Sequence, residues 1–391
     1  MNRIFLILWG DPKFYQTIIF LAEILSRKGF KVFILSKNTK KQKDIIKQAN
    51  FGKKTKIFES PNFFLGYSNF FDYFVFLIFI LIKTFSIKPK CIIFFNKKAL
   101  FSSIILNLIK RKNVSFIYHN FDFEILKNTQ TFFEKLYIKL EFLCSNICDF
   151  LIFPSLERSK IFVKNAKNKS SKTFYLMNCF PVKRIKIFSQ DFKKFIKINN
   201  LKNKKVVCHL GSIGKDHYLE EIVESFKYVN KNTILVIGGN SLNGYSNILK
   251  NIIRKSNLQK KVFIFEDISN ELWFEILKYS NLGLCFYKPS VLSHKFMAGT
   301  SQKFNNYLFF KIPMLVNDNS DFKNFKKKFD IFNMINPRNP RNIGLGINKI
   351  LTNKKRYYKI QNNMKKAFYK KLNFNYQYSI SYKKIFKIMN I

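Results

Sequence analysis

The sequence predicts an α/β fold made of two doubly wound, parallel-sheet domains. Three observations point there. At 391 residues the chain is too long for one ordinary core and suits two domains of comparable size. Arg3–Leu8, a helically spaced apolar set (Phe14, Ile18, Leu21, Ala22, Leu25) closed by Gly29, and Lys31–Leu35 form a strand–helix–strand unit. The same alternation restarts at Val206–Leu210, beyond a basic segment, Pro181–Lys197, that reads as an irregular connector and domain boundary.

In the first half, Cys91–Phe95, Val114–Tyr118, Phe150–Phe153 and Lys172–Leu176 read as further strands. Helices are expected over Ala99–Ile109 and about Gln130–Cys148. Phe63–Ile87 is the most apolar region, and its uninterrupted run Tyr73–Ile82 is ten residues long. A bilayer span needs roughly twenty. The run fits either a buried helix or one lying in a membrane interface, with Lys83 and Lys88 near headgroups.

In the second half, Val206–Leu210 runs into the Gly-rich turn Gly211–Lys215 and a helix from about Tyr218 to Val229. Thr233–Ile237, Val262–Phe265 and Leu282–Phe286 continue the strands, and Ile248–Ser256 and Asn270–Tyr279 the helices. Gly299–Ser301 is a small-residue turn leading into an apolar helix that stops before Pro313, and Met314–Val316 is a short buried strand. Alternation continues to about Thr352, and two helices close the chain. Residues 321–391 hold 18 Lys and Arg against Asp321 and Asp330, which reads as solvated or membrane-facing charge.

The net charge is +47, carried by 61 Lys and only nine Arg. A nucleic-acid reader would lean on the bidentate contacts of Arg, so no nucleic-acid partner is expected. Anionic lipid surfaces and phosphorylated substrates are attracted by such a charge. The six cysteines lack disulfide or zinc spacing, and no two of the four histidines have metal-ligand spacing. They read as reduced thiols of a cytosolic protein, with no metal site, and the N-terminus reads as a strand rather than a signal peptide.

Two stretches suggest anion chemistry. The turn before the helix holding Lys303 leaves backbone N–H groups at a positive helix end, with the Ser301 hydroxyl beside them. A cation sits badly at that end of a helix, so Lys303 points to something more negative nearby. Gly211, Ser212, Gly214 and Lys215 form a second turn where backbone can approach phosphate, although it matches neither the dinucleotide nor the Walker spacing. His119, with Asn120 and Asp122, falls at the carboxyl end of a strand, where ligands sit in open α/β sheets. His209, inside a strand, reads as a core histidine.

Four segments carry a family resemblance. GDPKFYQTIIFLAEILSRKGFKVFIL looks like the opening strand, acceptor-side loop and helix of glycosyltransferase family 4 (group 1). HLGSIGKDHYLEEIVESF is similar to that family's Gly-x-x-Gly turn, and VFIFEDISNELWFEILKYSNLGLCFYKP to its nucleobase-side segment. GTSQKFNNYLFFKIPMLVND resembles its donor signature. The resemblance implies the GT-B architecture: two Rossmann-like domains, 1–185 and 200–370, with parallel sheets facing a central cleft, and a C-terminal helix, 371–391, packing back on the first domain.

Carried onto this chain, it implies that Lys303 and Ser301 meet a donor diphosphate opposite Gly211, Ser212, Gly214 and Lys215. It also places His119 near the sugar, Asn306 near a ribose hydroxyl, and Gly10 and Asp11 on the acceptor side. Ala298 and Asn306 stand where the family often has two glutamates, and Lys311 stands where it has glycine. The implied activity is metal-free, retaining transfer from a nucleoside-diphosphate sugar to a lipid-linked or cell-surface glycan, such as lipopolysaccharide or capsule, at the inner membrane face. A catalytically silent scaffold and a nucleotide-sugar 2-epimerase are the alternatives.

Overall fold

A computed structural model describes residues 2–37, 51–61, 69–110, 113–121, 124–127, 130–168, 172–183, 187–290 and 292–391. Asp122 lies outside the described residues. The chain divides into two compact units, one of Met1–Pro181 with Phe374–Ile391 and one of Val182–Asn373.

The first unit runs β1 (Arg3–Trp9), α1 (Gln16–Arg27), β2 (Lys31–Lys37), β3 (Thr55–Glu59), α2 (Asn69–Ile87), β4 (Cys91–Phe95), α3 (Lys97–Leu108), β5 (Ser115–His119), α4 (Phe132–Ile147), β6 (Phe150–Phe153), α5 (Leu156–Ala166) and β7 (Thr173–Tyr175). Its parallel strands order as β3-β2-β1-β4-β5-β6-β7. Ile4–Leu8 and the whole of β4 are buried, as expected of strands covered by helices on both faces.

The second unit runs α6 (Asp191–Ile198), β8 (Lys205–Leu210), α7 (Leu219–Ser225), β9 (Thr233–Gly239), α8 (Tyr245–Lys255), β10 (Val262–Glu266), α9 (Asn270–Tyr279), β11 (Leu282–Cys285), α10 (Gln302–Phe310), β12 (Met314–Asn317), α11 (Ser320–Lys328), β13 (Asn333–Ile335), α12 (Pro340–Thr352) and α13 (Lys354–Lys370). Its parallel sheet orders as β10-β9-β8-β11-β12-β13. In both sheets the order reverses beside the first strand, the doubly wound pattern. The chain then re-enters the first unit as α14 (Phe374–Ile380) and α15 (Tyr382–Ile388).

Four elements differ from expectation. β3 was not anticipated, because this edge strand is largely solvent-facing and has no apolar run. The supposed irregular connector contains helix α6, which buries Phe192 and Ile196. The Glu275 carboxylate of α9 accepts from the free amides of Phe192 (2.9 Å) and Lys193 (3.1 Å) at the start of α6, a cap supplied from 83 and 82 residues away in the chain that no local pattern could reveal. The closing helix is broken into two at Ser381. The region expected as one buried or interfacial helix contains α2, which is buried on one side only: Phe76 and Ile80 face the core, and Phe74, Ile78, Ile82 and Phe85 are exposed.

Candidate functional site

In the second unit the site begins with α10. Phe304, Tyr307 and Leu308 bury its inner face, and Tyr307 fastens it to the sheet. The Tyr307 hydroxyl donates to the Cys208 carbonyl (3.1 Å) and accepts from the Leu210 amide (3.3 Å). A Cβ at Gly283 would lie 2.5 Å from the Tyr307 ring, so only glycine admits that ring against β11. Ser301 is the N-cap, its Oγ accepting from the Phe304 amide at 3.3 Å and sharing a short hydrogen bond with the Tyr287 hydroxyl. Its hydroxyl therefore already serves the fold.

Lys303, in the first turn of α10, is buried, and its Nζ donates to Nε2 of His209 at 3.2 Å. The ammonium stands 4.8 Å over the Tyr287 ring. Its stem runs across Gly211, where a Cβ would come within 3.0 Å of Nζ. Among the described residues no carboxylate reaches ion-pair distance of this ammonium. Burial lowers its pKa to about 8. Sequence reasoning joined Lys303 and Gly211, and the structure brings them together.

The remainder of the glycine turn divides. The Gly211 amide extends the ladder to Gly238 (2.9 Å), Ser212 and Lys215 are exposed, and Gly214 is buried in extended backbone before a short 3₁₀ turn. Around Lys303 the structure adds three histidines. The rings of His209 and His217 lie 5.5 Å apart, His217 and His294 6.0 Å, and Tyr287 and His294 5.4 Å. His209 is fully buried, as expected of a core histidine, and its Nε2 is also the acceptor for Lys303. Period-two alternation, which puts residues 209 and 211 on one face of β8, is the signal that could have found it. Asn306 is buried, and the amide orientation that satisfies both neighbours accepts from the Trp273 indole N–H (2.9 Å) and donates to the Gln302 carbonyl (3.3 Å). That side chain is committed inside the unit rather than held out to a ribose.

In the first unit, His119 ends β5 fully buried between Phe95 and Phe121, each 5.1 Å away ring to ring. Its Nδ1 shares a 2.9 Å hydrogen bond with the Tyr382 hydroxyl on α15, and Nε2 has no hydrogen-bond partner among the described residues. Arg158 Nη1 donates to the Phe121 carbonyl at 3.0 Å and so holds the chain that follows His119. Asn120 donates to Glu141 (3.0 Å) and to the Tyr118 hydroxyl (2.9 Å), facing away from His119. Gly10 has φ +144°, and the Asp11 carboxylate accepts from the Lys13 amide at 2.9 Å, capping a 3₁₀ turn. All six cysteines are free and buried.

Burial lowers the pKa of His119 to about 3 and of His217 to about 2, and holds His209 well below its ordinary value. A histidine with a depressed folded pKa binds its proton more readily unfolded, so its contribution to stability is lost as pH falls below about 6.5. Glu141, pushed up to about 7 by burial, acts oppositely between pH 7 and 4.5. His119 and Glu141 offset each other in the first unit, whereas His209 and His217 are uncompensated in the second. Acidification from pH 6.5 to 5 is therefore expected to weaken the second unit first, by roughly 2–3 kcal/mol per pH unit at most. Urea titrations followed by hydrogen exchange at the two pH values check this, and equal loss in both units would contradict it.

No protein-family model matches the sequence, and no curated protein matches it significantly. Solved structures do. Anabaena HepE in complex with UDP-glucose superposes with a TM-score of 0.74 over 100% of both chains at 13% identity. WaaG, a glycosyltransferase involved in lipopolysaccharide biosynthesis, superposes at 0.67 over 99% of each chain with 11% identity. A Listeria monocytogenes protein assigned as a UDP-N-acetylglucosamine 2-epimerase gives 0.66 over 99% of this chain and 96% of its own, at 11% identity. At these identities the likeness establishes the fold, and that fold is GT-B.

Proposed function

We propose that the chain is a glycosyltransferase of the family 4 type, which moves a sugar with retention from a nucleoside-diphosphate sugar to a lipid-linked or cell-surface glycan at the cytoplasmic membrane face. One observation carries this reading: a buried ammonium, Lys303, held by His209 and Tyr287 against Gly211 with no carboxylate among the described residues to neutralise it. Burying a cation is costly, and a seat built this way suits an anion brought by a substrate. As the glycosidic bond breaks, negative charge gathers on the leaving diphosphate, and Lys303 with the α10 amides meets it in place of a metal ion. His119, kept neutral by burial and held by Tyr382, is the first unit's candidate catalytic side chain. The binding of UDP-glucose by HepE, which shares the fold, adds support.

The test is a thermal-shift panel of nucleoside diphosphates and their sugars, in which one base stabilises the protein. Because the free site's lysine has a pKa of about 8, affinity for that diphosphate should be nearly constant between about pH 6.5 and 7.5. It should then fall up to about tenfold per pH unit above 8. Lys303→Ala should abolish the response, and a chelator should leave turnover unchanged.

The histidine cluster about Lys303 favours a second reading, 2-epimerisation, and the Listeria neighbour has the same fold. Incubation with the sugar nucleotide alone separates them: an epimer appears only under the second. Binding without either product would support the silent scaffold.

A further inference from the structure

The outward side of α2 presents large apolar residues in a straight line. Phe74 (56% exposed), Ile78 (41%), Ile82 (59%) and Phe85 (57%) follow at spacings of four, four and three, one stripe of an α-helix. At 1.5 Å per residue the stripe is about 16 Å long. The next two helices also carry exposed large apolar residues, Ile104 and Leu108 on α3 and Phe132, Phe133 and Leu136 on α4. A row of exposed large apolar side chains along one helix marks an interaction site.

Charge identifies the occupant. Lys83 lies beside the stripe with Nζ 4.3 Å from the Phe58 ring centroid, and exposed Lys88 and Lys90 follow the helix. Where α2 ends, a shallow apolar groove lined by Phe85, Leu106 and Ile109 has Lys88 and Lys110 at its edge. A second copy of a chain carrying +47 would bring a cationic rim against a cationic rim. An anionic bilayer attracts that rim and buries the stripe. Among the described residues no helix is long and apolar enough to cross a membrane, and Phe76 and Ile80 keep the other side of α2 in the protein core, so only its outer stripe is open to a bilayer.

We propose that α2 is a membrane-docking helix. Phe74, Ile78, Ile82 and Phe85 enter the headgroup–acyl boundary of an anionic bilayer, and the flanking lysines bind lipid phosphate. The proposal deepens the membrane-face reading given above, but it does not depend on sugar transfer.

The test is co-sedimentation of the full chain with vesicles of phosphatidylcholine alone or with 30% phosphatidylglycerol. The wild type should bind the anionic vesicles, and 0.5 M salt should weaken this several-fold. Phe74→Asp combined with Ile82→Asp should reduce partitioning at least tenfold while the melting temperature holds, since both side chains are exposed. A milder pair, Phe74→Ser with Ile82→Ser, should give an intermediate loss. Three results would overturn the proposal: undiminished binding by the aspartate pair, equal binding to neutral vesicles, or a wild-type dimer that the same pair dissociates. Diphosphate thermal shifts measured without vesicles should be the same in wild type and variants. Failure of those shifts in the wild type counts against the transferase reading and leaves the vesicle result standing.

Discussion

Lys303→Met is expected to weaken donor binding and to slow turnover by about 10²–10³ while making the folded chain more stable. The two effects have one cause. The ammonium sits fully inside the second unit with one neutral acceptor, His209, and one aromatic face, Tyr287. Its pKa falls from 10.5 to about 8 through burial, which corresponds to roughly 3 kcal/mol of destabilisation at neutral pH. Methionine fills much the same volume without the charge, so the melting temperature should rise by a few degrees. The charge whose burial is costly to the fold is the one that would stabilise a leaving diphosphate, and removing such a group lowers kcat by about 10²–10³. Calorimetry and a turnover assay on one preparation check both halves. A stable variant that keeps its activity would remove Lys303 from the chemistry. A destabilised one would mean that the ammonium is better compensated than its surroundings indicate.

The second large effect is expected at Gly239→Ala. Gly239 closes β9 with φ +143°, a conformation in which side chains are strained. A Cβ there would fall 1.9 Å from the carbonyl oxygen of Gly211, a contact that only backbone movement can relieve. The two strand ends must part, and Gly211 is the residue across which Lys303 lies. We expect a loss of at least about 4 kcal/mol, in the range reserved for strain and overpacking, and with it the loss of diphosphate binding. Gly29→Ala is the control. Its φ is +95°, but nothing stands within 4 Å of the added carbon, so the cost should be confined to about 1 kcal/mol of backbone strain. Equal losses at the two positions would show that the close approach of Gly239 to Gly211 does not matter.

Most of the framework was legible in the linear chain because buried parallel strands announce themselves as unbroken apolar runs. β1, β4, β6 and β12 are such runs, and their bounds moved by a residue at most. β3 and α6 were not legible for opposite reasons. The first is a largely exposed edge with only Ile57 and Phe58 apolar, too short to show a period, and the second is capped by a glutamate distant in sequence.

What the sequence alone determined is the pair of doubly wound sheets and the juxtaposition of a cation with a helix start, since both follow from local periodicity and turn chemistry. The tertiary structure decided how those groups are used. It set His209 against Lys303, tied His119 to Tyr382 across 263 positions, and turned the Asn306 amide towards Trp273. Side-chain partners separated by that much chain are chosen by which strand and helix the fold lays side by side, and no periodicity within a segment records that choice.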